Sequence, residues 1–164
     1  MHNLGSCTII DVGGQDTKII TLKDGKVDDF IMNDKCSAGT GKFLEIMCNR
    51  LGLTIDELFT FADKGNVLKI SSMCTVFAES EIIGLMGDGN KREDIAAGVV
   101  ESVAIKVKQL ATRHGLSDNI ILTGGLSINP IFVRILQEHL GQYVKAHEKG
   151  RYAGAIGAAV IAGT

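Results

Sequence analysis

Apolar and polar positions alternate in short runs over the first third of the chain, a pattern typical of half-buried β-strands. Three such runs, CTIIDV, TKIITL and VDDFIM, are divided by a Gly-Gly turn and by an Asp-Gly turn that favours a hairpin. The pattern therefore predicts three short antiparallel strands in succession.

Apolar residues then recur at helical spacing, first in the segment KFLEIMCNRL, where Gly52 ends the predicted helix. A short helix is predicted over residues 54–64, because Thr54 and Glu57 form a capping-box pattern. The later predicted elements are, in chain order, a helix from near Cys74 to GDGN, a long helix from Lys91 to His114, the strand in NIILTGG, a helix opened by Pro130, the strand QYVKA and a closing helix in RYAGAIGAAVIAG.

This order of elements predicts an α/β fold with a mixed sheet and helices on its faces. Neither a repeat nor a linker is visible, so residues 1–164 are expected to form one domain, with a helical insertion over about 53–90. Twenty glycines and a single proline indicate many close backbone approaches rather than flexible linkers.

Composition narrows the class of protein further. A net charge of −2 provides no basic surface, so nucleic acid is not an expected partner. Without a signal peptide or an apolar run long enough for a membrane span, the chain is expected to be cytoplasmic. The four cysteines form no CxxC pairs, which argues against a disulfide scaffold in such a chain.

The turn in DVGGQDTK carries candidate chemistry. Gly13 and Gly14 can adopt positive φ and present backbone N–H groups to an anion such as phosphate. Asp11 and Asp16 are candidates for holding a hydrated Mg²⁺, and Gln15 for orienting an attacking water. An ordinary hairpin turn with solvated acids explains the same spacing.

A second glycine turn lies in LTGGLSINP, between a predicted buried strand and a helix. Gly124 and Gly125 would let a nucleotide lie across the end of the strand, near Asn129 and the start of the helix. A simple tight turn is the alternative, but two such turns after buried strands of one sheet converge on a shared crevice.

Cys36 and Cys74 each lie where a Gly/Ser-rich segment runs into a predicted helix, and a helix start favours thiolate over thiol. A reactive thiol, a metal ligand and a simple turn residue all fit these positions. Zinc is disfavoured because no histidine has suitable spacing, whereas two chains together would supply the four thiolates of an iron–sulfur cluster. Cys48 lies on an apolar helix stripe and Cys7 opens a strand, so both are expected to be structural.

Other polar residues have simpler expected roles. Glu79 and Glu81 are expected to stabilise the start of the Cys74 helix. The histidines stand in polar contexts that predict surface positions: His2, His114, His139 and His147. Ser127 has no base within sequence reach, which argues against a serine nucleophile.

Five segments together resemble the ATP-dependent activators of 2-hydroxyacyl-CoA dehydratases and the ATPase subunits of benzoyl-CoA reductases. They are TIIDVGGQDTK, NDKCSAGTGKF, ISSMCTVFAESEI, ILTGGLSINP and YAGAIGAAV. The resemblance extends from about Cys7 to Ala162, and the contexts of Cys36 and Cys74 are its most specific parts.

This resemblance implies the fold of actin, sugar kinases and heat-shock ATPases, with two ribonuclease-H-like domains and ATP in the cleft between them. It implies a homodimer with one [4Fe-4S] cluster at the two-fold axis, ligated by Cys36 and Cys74 of each subunit. DVGGQDTK would be the second phosphate loop, LTGGLSINP the adenosine loop and YAGAIGAAV the later connecting helix. ATP hydrolysis would then drive an electron onto a dehydratase partner, with Mg²⁺ as the nucleotide's metal.

Only MHNLGS precedes CTIIDVGG, so the chain resembles the second half of these proteins alone. Three explanations stay open: a truncated chain, a split protein that works with a separate N-terminal half as a further partner, and a shortened paralogue. Whether the chain is an enzyme by itself also stays open. Two other interpretations remain: a non-catalytic nucleotide-sensing or dimerisation module of the same fold, and a small-molecule kinase.

Overall fold

The computed structural model of the protein describes residues 5–70 and 74–163. Within these ranges the chain forms a five-stranded mixed sheet and six α-helices, which confirms the predicted α/β class. The strands are β1 (Cys7–Val12), β2 (Thr17–Lys23), β3 (Lys26–Asn33), β4 (Ile120–Gly124) and β5 (Val144–Ala146). The helices are α1 (Gly41–Leu51), α2 (Ile55–Ala62), α3 (Thr75–Gly87), α4 (Arg92–His114), α5 (Pro130–Leu140) and α6 (Ala153–Ala162).

The sheet has the strand order β3-β2-β1-β4-β5. Two antiparallel hairpins join β1 to β2 and β2 to β3, as predicted, whereas β1 pairs with β4 and β4 with β5 in parallel. Strands β1, β3 and β4 therefore run in the same direction and end at the same edge of the sheet. This edge carries the turn over residues 13–16, the segment that leads to Cys36, and Gly124.

Alternation along the strands separates a buried face from a half-exposed face. Ile10 and Val12 of β1 and Ile19 of β2 are fully buried on the face against which α4 packs. Asp11 lies on the opposite face, directly across from Lys18 on β2 and Thr123 on β4. Because successive side chains point to opposite faces, this register groups three polar side chains beside the glycine turn.

Helices α2 and α3 lie within the predicted helical insertion. The Thr54 hydroxyl accepts from the Glu57 N–H at 3.2 Å, and the Glu57 carboxylate accepts from the Thr54 N–H at 2.7 Å, so the predicted capping box is confirmed. Helix α2 packs on α4, and its Phe59 ring meets Phe132 of α5 edge to face at 6.5 Å. These contacts bury one face of α2, with Leu58, Phe59 and Ala62 in the core.

Helix α6 lies on the surface along its whole length. Each of its residues is exposed, including Ile156, Val160 and Ile161. No helix in the described part of the chain is long and apolar enough to cross a membrane.

Two predictions about polar residues are wrong. Helix α3 has no acidic residue in its first turn, and Glu79 instead forms an ion pair with Arg50 of α1. The His114 side chain is only 4% exposed and makes a 2.9 Å hydrogen bond between its Nε2 and the Thr21 hydroxyl. Both residues pair with elements that are distant in sequence. His2 lies outside the described residues.

Candidate functional site

The glycine turn after β1 is closed on itself. The Gly13 N–H donates to the Asp16 carbonyl at 2.9 Å, so this N–H is used inside the turn. A Cβ on Gly13 would lie 2.7 Å from Asp16 Oδ1 and 3.0 Å from the Asp16 carbonyl oxygen, so a larger residue there would displace the Asp16 side chain. Gly14 and Gln15 lie at the tip of the turn and are exposed to solvent.

Two residues that the sequence analysis missed hold the acidic pair of this turn. Lys18 Nζ lies 2.6 Å from Asp16 Oδ2 and 4.0 Å from Asp11 Oδ2. The Thr123 hydroxyl donates to Asp11 Oδ1 at 2.6 Å. Lys18 and Thr123 are the cross-strand neighbours of Asp11, so the strand register is the signal that would have found them.

The acidic pair offers one carboxylate that suits a magnesium ion. Asp16 is held by Lys18 and by the turn, whereas Asp11 Oδ2 makes only the longer ion pair among the described contacts. Mg²⁺ is held in nucleotide sites by one or two carboxylates together with waters and phosphate oxygens. Asp11 fits that requirement better than Asp16 does.

The second glycine turn is shaped by its contact with β1. Gly124 has a φ of +84° and a ψ of −176°, a conformation essentially restricted to glycine. A Cβ on Gly124 would lie 2.2 Å from the Val12 carbonyl oxygen, whereas a Cβ on Gly125 would meet nothing within 4 Å. The end of β4 therefore stays flush against β1 and leaves the backbone of the turn accessible.

Asn129 is the N-cap of α5. Its Oδ1 accepts from the N–H groups of Ile131 and Phe132 at 3.0 and 3.1 Å. These two bonds use the side-chain oxygen of Asn129, so its amide NH₂ is the group that would contact a nucleotide.

The first glycine turn is bonded directly to the start of α1. The Gly41 N–H donates to the Gly13 carbonyl at 2.9 Å, and the Lys42 N–H donates to the Gly14 carbonyl at 2.7 Å. The Thr17 hydroxyl adds a bond to the Gly39 carbonyl at 2.7 Å. The segment that follows Cys36 is thus attached to the turn by backbone contacts.

The four cysteines divide into two buried and two exposed thiols, and all four are free. Burial raises the pKa of the Cys48 thiol to about 11, with a further contribution from nearby carboxylates, and burial also raises the pKa of Cys7. The structural roles predicted for Cys7 and Cys48 agree with their burial in the core. Cys36 and Cys74 are exposed, and Cys74 is the N-cap of α3.

The segments of Cys36 and Cys74 meet through the residues that follow them. The hydroxyls of Ser37 and Thr75 are 2.6 Å apart and form a hydrogen bond. Across residues 5–70 and 74–163, no group of three or more His, Cys, Asp or Glu side chains is arranged to hold a metal. The exposed thiols fit half of a four-thiolate ligand set, so a second chain would have to supply the other half.

A cavity of about 330 Å³ lies beside Cys36, between the end of β3 and α4. Met32, Val107 and Leu110 form its apolar part, and Lys106 and Arg113 place cationic groups around it. This cavity lies next to the thiol rather than at the glycine turns.

The chain belongs to the BadF/BadG/BcrA/BcrD ATPase family, which it matches over residues 1–162. The exposed thiols and the two glycine turns lie within that range.

Three relatives indicate where in this family the chain stands. It is 44% identical to the (R)-2-hydroxyglutaryl-CoA dehydratase activating ATPase of Acidaminococcus fermentans, over 94% of this chain and 60% of that protein. It is 45% identical to the activator of lactoyl-CoA dehydratase of Anaerotignum propionicum, over 94% of this chain and 61% of that protein. The solved activator of the 2-hydroxyisocaproyl-CoA dehydratase from Clostridium difficile, with bound ADPNP, superposes with a TM-score of 0.90 at 40% identity, over 96% of this chain and 59% of that one. The chain thus spans about 60% of the length of these relatives.

Proposed function

We propose that the chain is the ribonuclease-H-like part of an ATP-dependent iron–sulfur activator that transfers an electron to a 2-hydroxyacyl-CoA dehydratase-type enzyme. The observation that carries this proposal is the direct bonding of the first glycine turn to the segment of Cys36, which links a candidate phosphate site to an exposed thiol. The dehydratase activators among its relatives support the choice of partner. Because the chain spans about 60% of those relatives, the opposite wall of the ATP cleft is assigned to residues outside these 164.

In this proposal the two glycine turns bind the nucleotide at the edge of the sheet. Backbone N–H groups near Gly14 face the phosphates, Asp11 holds Mg²⁺, and Gln15 orients the attacking water. Asp16 stabilises the turn through Lys18. The turn at Gly124 and Gly125, together with the Asn129 amide, receives the adenosine end.

Cys36 and Cys74 of two identical chains are proposed to hold one [4Fe-4S] cluster between them. A cluster bound there would supply a one-electron carrier. The exposure of both thiols lets a second chain approach them, and the Ser37–Thr75 contact brings their two segments together within each chain. A homodimer is therefore part of the proposed function.

Anaerobic reconstitution with iron and sulfide tests the cluster. We expect about two iron atoms per chain, since one four-iron cluster would be shared by two chains, together with the broad visible absorption of an iron–sulfur protein. Cys36→Ser and Cys74→Ser should each abolish iron binding. Cys48→Ala is the matched control, because Cys48 is buried and should leave the iron content unchanged. A wild-type protein without iron, or a Cys36→Ser variant that keeps it, would refute the cluster.

Two assays test the nucleotide site. Calorimetric titration with Mg-ADP measures binding, and phosphate release from Mg-ATP measures hydrolysis. Asp11→Asn should weaken the binding of Mg-ADP more than that of ADP in EDTA, because Asp11 is assigned to the metal. Equal weakening with and without Mg²⁺ would contradict that assignment. Binding of Mg-ADP without phosphate release from Mg-ATP would favour a nucleotide-sensing module. Phosphate release by this chain alone would contradict the assignment of the opposite cleft wall to other residues.

A further inference from the structure

Ser37 and Thr75 occupy equivalent places in two segments that are far apart in sequence. Each residue immediately follows one of the two exposed cysteines, and their hydroxyl oxygens lie 2.6 Å apart. Thr75 is 8% exposed. Ser37 is half-buried, so the bond is partly shielded from water, which strengthens it relative to one on the open surface.

The Cys36 side of this contact is held by its own bonds. The Ser37 carbonyl accepts from the Thr40 N–H at 3.0 Å and from the Thr40 hydroxyl at 2.7 Å. The Asn33 side-chain NH₂ donates to the Cys36 carbonyl at 2.9 Å. Ser37 therefore stands on a fixed loop rather than on a freely moving one.

The Cys74 side is equally well anchored. Thr75 is the first residue of α3, and the Cys74 carbonyl accepts the Ala78 N–H at 2.9 Å as the first bond of that helix. Elsewhere α1 and α3 are joined by the ion pair of Arg50 with Glu79. Because Arg50 is largely exposed, this ion pair contributes little to the relative position of the two helices.

We propose that Ser37 and Thr75 are positioning residues, whose hydroxyl–hydroxyl bond sets the separation of Cys36 and Cys74 so that both thiolates of a chain reach one cluster. This inference rests on the proposed function. Since consecutive Cα atoms are about 3.8 Å apart, the bond keeps the Cα atoms of the two cysteines within roughly 15 Å. Each segment is held by its own bonds, and the Ser37–Thr75 bond holds the two segments to one another, so less ordering of one thiol relative to the other remains when the cluster binds.

A short bis-maleimide measures this separation without iron. Each maleimide ring adds one thiol across its C=C bond: the sulfur bonds to one carbon and the proton is taken up at the other, so neither oxidant nor leaving group is required. Intact mass at low protein concentration separates single chains bridged by one reagent molecule from chains carrying two molecules. The bridging ratio is the amount of bridged chains divided by the amount of chains carrying two molecules, and it gives the effective concentration of one thiol near the other.

Thr75→Val removes the hydroxyl and keeps the branched shape, and Ser37→Ala removes its partner. Each variant should lower the bridging ratio roughly two- to ten-fold, the factor that corresponds to one side-chain hydrogen bond. The double variant should lose no more than either single variant, because both remove the same bond. Thr75→Ser keeps a hydroxyl and should restore most of the ratio.

Ser80→Ala is the matched control, since it removes a hydroxyl from α3 whose partner among the described residues is the Val76 carbonyl of the same helix. Its bridging ratio should equal that of the wild type. The proposal is overturned if Thr75→Val and Ser37→Ala both bridge at the wild-type ratio, if Thr75→Ser is as impaired as Thr75→Val, or if Ser80→Ala is impaired to the same extent. Should Thr75→Val fail to fold, Ser37→Ala tests the same bond alone.

The reconstituted protein gives a second measurement. Iron should be lost to a chelator several-fold faster from Thr75→Val than from Ser80→Ala. The two hypotheses fail separately. A wild-type chain that binds no iron refutes the proposed function. If the wild type binds iron but Thr75→Val and Ser37→Ala bridge at the wild-type ratio, the positioning role is refuted.

Discussion

Gly124→Ala tests the close approach of β4 to β1. Alanine at this position would have to adopt the observed φ of +84° and ψ of −176°, at a cost of about 1–3 kcal/mol. Its Cβ would lie 2.2 Å from the Val12 carbonyl oxygen. The two strands would have to separate at that register pair, with the loss of about 1 kcal/mol for a ladder hydrogen bond. We expect a total destabilisation of about 2–4 kcal/mol, a large part of the 5–15 kcal/mol typical of a folded domain.

Equilibrium unfolding in urea, followed by circular dichroism, measures this loss. The midpoint should fall by about 1–2 M for a chain of this size. Gly125→Ala is the matched control, because a Cβ there meets nothing within 4 Å, and its free energy of unfolding should stay within about 0.5 kcal/mol of the wild type. If the two alanine variants unfold at the same urea concentration, the steric reasoning is wrong.

Three further predictions concern the exposure of the cysteines and the pKa shifts of Cys48 and Glu57. At pH 8, iodoacetamide should modify Cys36 and Cys74 in the folded protein but not Cys7 and Cys48; equal labelling of all four thiols would contradict their assigned burial. Burial raises the folded-state pKa of Cys48 to about 11. The contribution of its neutral thiol to stability is therefore present below the ordinary thiol pKa and is lost as pH rises through about 11. Cys48→Ala should accordingly flatten the decline of the melting temperature at alkaline pH. Bonds from the Thr54 N–H and hydroxyl lower the pKa of Glu57, whose contribution is therefore present above its unfolded pKa and lost as pH falls through the folded value. Glu57→Gln should thus melt below the wild type at pH 7, and the gap should close as pH falls below the ordinary Glu pKa and through the lowered folded value. A gap that stays constant across this range would exclude the charge as the cause.

The order of elements was predictable because the spacing of apolar residues within each segment indicates a strand or a helix. Alternation in CTIIDV and the helical stripe before Gly52 require only local sequence, and so does the Thr54–Glu57 capping box. The partners of His114 and Glu79 were not predictable in this way. Their contacts, with Thr21 and with Arg50, join residues far apart in sequence that no local pattern relates.

The candidate site shows the same division. Glycine turns and cysteines before helices are recognisable by residue type, and the structure brings the turn at Gly13 to the same sheet edge as Gly124 and the segment of Cys36. The contact of Lys18 with Asp11 was not predictable, because it depends on the register of two strands rather than on the spacing of the residues along the chain. The Ser37–Thr75 bond was not predictable for a similar reason, because two hydroxyl residues separated by the helices α1 and α2 form no motif.

The bonds from the start of α1 to the first glycine turn also make two amides natural reporters. The Gly41 and Lys42 N–H groups donate to the carbonyls of Gly13 and Gly14, so they are shielded from hydrogen exchange only while that turn keeps its shape. Their exchange rates therefore register any opening of the turn at a point five and six residues beyond Cys36. Motion at one end of the site can be observed at the other without a label, a cofactor or a substitution.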